Sequence, residues 1–90
     1  MSSSEVEADT GEVRNHLTGY VSSLQMGAVD GALSEAEALT KMDCSLCESF
    51  GNHLYALGVA AKTAPREETA DKLVSEAISV AEYLQAVVEE

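Results

Sequence analysis

From Val13 to Val87, apolar positions recur at spacings of three and four residues, and no segment alternates with the period of two that marks a half-buried strand. The expected fold class is therefore all-α. In the first segment Val13, Leu17, Tyr20 and Leu24 share one narrow helical arc, widened by Val21, while Asn15, Thr18, Gly19, Ser22 and Ser23 hold the other side. Asp9 and Glu12 have loose capping-box spacing just before this stripe, which predicts a helix over about 11–26. Two glycines, Gly27 and Gly31, supply the stop and the turn after it.

A second start is written in Ser34-Glu35-Ala36-Glu37, a full capping box. Leu39, Met42, Leu46, Phe50, His53, Leu57 and Ala60 then keep a three-four phase, flanked by Leu54 and Ala61. Because that phase runs unbroken through Gly51-Asn52, it predicts one long helix over about 34–62, with Gly51 at a close backbone approach. The rival reading is a break there, with Asn52 capping a new helix. Pro65 ends this segment and suits the first turn of the next, where Glu67, Glu68 and Asp71 face the positive end of the helix dipole. Ala70, Leu73, Ala77, Val80, Leu84 and Val87 alternate threes and fours without an error and predict a helix over about 65–88.

The domain organisation expected is a flexible acidic N-terminal tail over 1–9 and a single helical domain over 10–90. Its architecture is a three-helix arrangement built on a long antiparallel hairpin, or half of a helical-bundle dimer. Composition favours the association: the chain has 90 residues and four aromatic side chains, and 13 of its apolar residues are alanines that bury little area.

Lys and Arg number 5 against 16 Asp and Glu, a formal charge of −11 that divides −4, −3 and −4 over the three thirds of the sequence. An even acidic coat repels nucleic acids and anionic membranes and attracts basic partners. Five scattered cations cannot match a phosphate backbone, so direct nucleic-acid binding is not expected. Apolar runs are too short for a membrane span, and the first residues lack the pattern of a signal peptide, so the expected location is cytoplasmic.

Cys44-Ser45-Leu46-Cys47 is the one motif with a chemical name, fitting disulfide exchange or half of a zinc site. Placed in the middle of a long helix beside Asp43 and Glu48, the pair lacks the dipole that activates a redox thiol, and His53 lies on another side of the helix. Buried structural thiols are expected instead. His16 at the edge of the first stripe and His53 inside the second read as packing residues. No nucleophile, base or phosphate-binding loop is recognisable, so neither catalysis, a cofactor nor a metal is expected.

A second apolar set, Cys44, Tyr55 and Val59 beside Gly51, lies about 160–220° round the long helix from its main stripe. If the first helix leaves it uncovered, it becomes a groove wall for a partner helix, with Tyr55 as anchor. The function expected is thus a small acidic protein-binding module, adaptor or chaperone-like, that engages a partner's amphipathic helix through Tyr55, Val59, Phe50, Leu54 and Leu57. That partner is a basic protein, one presenting such a helix, or a second copy. Two alternatives are an acidic inhibitor that mimics nucleic acid on a basic site, for which Glu67-Glu68 and Glu89-Glu90 are the longest acidic runs and reversal of Glu67 and Glu68 should abolish binding, and a thiol or metal protein using Cys44 and Cys47.

Overall fold

Gly27 makes the first corner of the molecule. Its φ of +79° is a left-handed conformation that a side chain would oppose, and it lets two N–H groups turn back onto the helix end. Gly27 N donates to Leu24 O at 3.1 Å and Ala28 N to Ser23 O at 2.7 Å, a Schellman closure that satisfies two of the last helical carbonyls. The glycine stop read from the sequence is found here.

The computed structural model describes the backbone over 2–42 and 45–89 and the side chains over 11–42 and 46–88. Helices α1 (Ser2–Gln25), α2 (Val29–Thr40), α3 (Ser45–Thr63) and α4 (Glu67–Glu89) follow one another. Most of the described residues are helical, and no strand occurs among them. The fold is all-α. The helices run up and down in sequence, with α1 against α2 and α4, and α3 against α2 and α4. The result is a slender four-helix bundle measuring 49 × 20 × 18 Å.

Four helices stand where the sequence predicts three. The expected helix over 34–62 is two helices, since α2 ends at Thr40 and α3 begins at Ser45, while Gly51-Asn52 shows no break and lies inside α3. No glycine or proline marks the division between α2 and α3. Its described side is a tightened last turn: Lys41 N reaches Ala38 O at 3.2 Å and Met42 N reaches Leu39 O at 3.1 Å, while the Thr40 hydroxyl donates to Glu37 O at 2.6 Å. Side-chain and i,i+3 bonds of this kind satisfy carbonyls that a continuing helix would otherwise use. Folding back also lets the small residues of α2 meet those of α3, which an unbroken rod of about 43 Å could not do.

The second start also moves. Because α2 begins at Val29, Ser34 and Glu37 lie within the helix, and their capping-box spacing caps nothing. At the N-terminus α1 begins at Ser2 rather than near residue 11.

Val13, Leu17, Tyr20 and Leu24 of α1 are all buried, as their spacing predicts. In α4 the core residues are Ala77, Ala81 and Leu84, with Leu73 and Val80 half-buried against them. Between these lie Ala32, Ala36 and Leu39 of α2 and Cys47, Leu54, Leu57 and Ala61 of α3. No helix of the described residues is long and apolar enough to cross a membrane.

Candidate interaction surface

The rotation of α3 about its own axis decides which apolar groups this protein shows to its surroundings. Of the expected stripe of Leu46, Phe50, His53, Leu57 and Ala60, only Leu57 is buried. Cys47, Gly51, Leu54, Gly58 and Ala61 face inward instead, one residue on, or about 100° round the helix. Glycine explains the turn. A Cβ on Gly51 would stand 2.9 Å from the Thr40 backbone nitrogen and 3.1 Å from the Ala36 carbonyl oxygen, and one on Gly58 would stand 2.7 Å from Leu33 Cδ2. The bare backbone at both positions is what α2 packs against, which fulfils the expected close approach at Gly51.

A polar contact fixes the same rotation from the opposite helix. The hydroxyl of Tyr20, a fully buried residue, donates to the Leu54 carbonyl at 2.7 Å. A helical carbonyl has a second lone pair for this bond. Burial pushes the Tyr20 hydroxyl pKa up to about 12, because the phenolate would lose its hydration there.

Bonds across the other seams hold the bundle in register. His16 Nδ1 donates to Glu35 Oε1 at 2.7 Å between α1 and α2, so His16 is a satisfied residue at the edge of its stripe. Gly19 leaves room for that carboxylate, since a Cβ there would meet the Glu35 side chain. Gln85 Nε2 donates to Thr18 Oγ1 at 3.0 Å between α4 and α1. Lys62 Nζ donates to Asp30 Oδ1 at 2.7 Å between α3 and α2. The Asp30 bond, together with its charge, holds the Lys62 ammonium above the usual lysine range. Between α3 and α4 the contact is aromatic: the Phe50 and Tyr83 rings lie 6.5 Å apart and inclined at 38°, a tilted pairing within the favourable range.

The five residues expected to meet a partner separate into three groups. Leu54 and Leu57 are buried in the bundle and are core residues. Phe50 is half-buried and leans on Tyr83. Tyr55 and Val59 are open, at 41% and 37% exposure, as are Leu46 at 42% and Tyr83 at 64%. Helical angles put Tyr55 and Leu46 about 180° apart on α3, with Tyr55 and Val59 toward the α2 side and Leu46 and Phe50 toward α4. Ser49, Asn52, His53 and Ala56 fill the arc between them, all exposed. His53 thus lies outside rather than in a packed stripe.

This outer face of α3 carries little charge. Over its 19 residues α3 holds one carboxylate, Glu48, and one lysine, Lys62. By contrast α4 holds six acids: Glu67, Glu68, Asp71, Glu76, Glu82 and Glu89. The signal that reading by large side chains misses is the pair Gly51 and Gly58, seven apart in line with Cys47, Leu54 and Ala61. Taken as the inward face, it leaves the large apolar groups at the edges.

The cysteine motif also changes setting. Cys47 lies in the first turn of α3 rather than in mid-helix. It is buried in the core and bonded as a disulfide, not standing as a free thiol. The only other cysteine of the sequence, Cys44, lies outside the described residues, as does Asp43. Among the described residues no group of three His, Cys, Asp or Glu side chains is placed to hold a metal ion. Glu67 and Glu68 stand exposed at the start of α4. The chain matches no protein-family model, and comparison with curated proteins and with solved structures finds no match.

Proposed function

We propose that this protein is a small acidic helical binding module, adaptor or chaperone-like, which holds an amphipathic helix of a partner protein along the outer face of α3. One observation carries the reading: a chain of charge −11 leaves exposed, on a helix with a single carboxylate, Leu46, Tyr55 and Val59, with Tyr83 of α4 at the border. Exposed apolar groups on the two edges of the α3 face, with Ser49, Asn52, His53 and Ala56 between them, suit a helical partner that lies along the middle and rests its apolar side chains on both edges. Tyrosines at the two edges are effective anchors, since each presents a large rigid ring with a polar tip. Carboxylates elsewhere on the molecule keep it soluble and draw in a basic partner from a distance.

The test is fluorescence anisotropy of a labelled amphipathic peptide, about 20 residues long, with leucines on one face and lysines on its flanks. Saturable binding that is strongly weakened by Tyr55→Ala combined with Val59→Ser, and reduced much less by Glu67→Lys with Glu68→Lys, supports the reading. Binding that survives the first pair and is lost with the second contradicts it and favours an acidic mimic of nucleic acid.

A further inference from the structure

Charge at the borders of the α3 face points to what lies on it. On the α2 side Asp30 is bonded to Lys62, which turns Asp30 toward α3. Glu37 and Lys41 follow seven and eleven residues later, on the same side of α2, and form an ion pair with each other at 3.7 Å. On the α4 side Tyr83 touches Phe50, and Glu76 and Lys72, seven and eleven residues earlier, share its side of the helix. With Glu48 on α3 itself, the face and its borders hold, among the described residues, four carboxylates, Asp30, Glu37, Glu48 and Glu76, against three lysines, Lys41, Lys62 and Lys72.

The local balance is thus −1 within a molecule of −11. Three of the five cations of the chain border this one helix.

A border of acids alone would select a basic partner. Alternating acids and lysines are complementary to a border of the same composition, and a two-fold axis brings such a border against itself reversed. A face whose own charges nearly balance also lets two acidic copies meet with little local repulsion. We propose that the amphipathic helix held on this face is α3 of a second copy, the two helices crossing near Ala56 about a two-fold axis. Resting on the binding-module reading, the proposal names the partner of that same site. Ala56 and Ser49 at the centre of the arc let the helix axes approach to about 8–10 Å, while Tyr55, Val59, Leu46 and Tyr83 of each copy close around the other.

Sedimentation equilibrium of the full chain tests this, with circular dichroism to confirm that each variant is folded. At micromolar concentration the chain is expected to be a dimer, and its association is expected to strengthen as salt screens the repulsion between two acidic bodies. Ala56→Glu, placing a carboxylate at the centre of the face, should raise the dimer dissociation constant at least ~10-fold. Asn15→Glu, on the exposed side of α1, should leave it unchanged. A dimer that persists in Ala56→Glu overturns the proposal. So does a monomer under all salt conditions, and the lysine-flanked peptide then separates the two readings. Peptide binding that Ala56→Glu abolishes keeps the binding module and removes only the second copy, whereas no peptide binding removes both.

Discussion

The two seams of α3 are built on different principles. Against α2 it presents glycine, so the helices meet backbone to side chain at Gly51 and Gly58. Against α4 it presents Phe50, which leans on the Tyr83 ring and leaves that ring largely open to solvent. A glycine seam is narrow and leaves nothing over, while an aromatic seam spreads its side chains outward. The comparison teaches that the smallest residues set the rotation of α3, and that the large ones take the position that rotation leaves them. Surface apolarity on this helix is a consequence of glycine packing inside it.

The widest contrast is between neighbouring residues on opposite sides of that rotation. Leu54→Ala, which empties a fully buried site, should cost about 2–5 kcal/mol in urea unfolding. Tyr55→Ala at the next position should stay within about 0.5 kcal/mol under conditions where the chain is monomeric. Similar losses at the two sites would break the contrast.

The glycines sharpen it further. At Gly51 an added Cβ meets the backbone of α2, which cannot move aside, so Gly51→Ala should destabilise by about 1–3 kcal/mol despite the gain in helix propensity. At Gly58 the nearest atom is the tip of a flexible leucine. Its displacement opposes a propensity gain of about 1 kcal/mol, and Gly58→Ala should fall close to neutral. Equal effects at both positions would show that the α2 backbone is not the close neighbour.

A smaller effect belongs to Tyr20. Tyr20→Phe removes one hydrogen bond but leaves the Leu54 carbonyl its helical partner, an expected loss of about 1 kcal/mol. The same residue gives the fold an alkaline limit. Since burial raises the Tyr20 pKa from 10.0 to about 12, the unfolded chain releases this proton first. The stability Tyr20 contributes through its neutral form is therefore whole below pH 10 and is lost as the pH rises toward 12. Denaturant midpoints measured across that interval should fall in the parent chain, and the part of the fall due to Tyr20 should be absent in Tyr20→Phe.

These contrasts also show what was legible in the residues. The stripe of α1 can be read because its inward residues Val13, Leu17, Tyr20 and Leu24 are large and regularly spaced, and that of α4 because Ala77 and Leu84 keep the phase of Leu73 and Val80, although the buried Ala81 lies beside that stripe. The middle of the chain misled for a physical reason. Leu39, Met42, Leu46, Phe50 and Leu57 keep a common phase beyond the end of α2 at Thr40, so apolar periodicity alone describes one rod. Neither proline nor glycine marks that end, and the capping box at Ser34 falls inside a helix already begun at Val29. Of the partner-facing residues, Tyr55 and Val59 are exposed, while Leu54 and Leu57 went to the core because hydrophobicity does not register an inward glycine. Leu46 and Tyr83 are exposed groups to which periodicity does not point, since Leu46 falls on the apparent inward stripe of α3.

The rotation of α3 can be measured directly by nuclear Overhauser contacts in solution. The structure requires contacts from the Gly51 Hα protons to Thr40 and Ala36, and from the Gly58 Hα protons to Leu33 and the Tyr20 ring. Contacts from Phe50 and His53 to Ala36, with the Gly51 protons facing solvent, would place α3 about 100° away and contradict both the glycine seam and the surface derived from it.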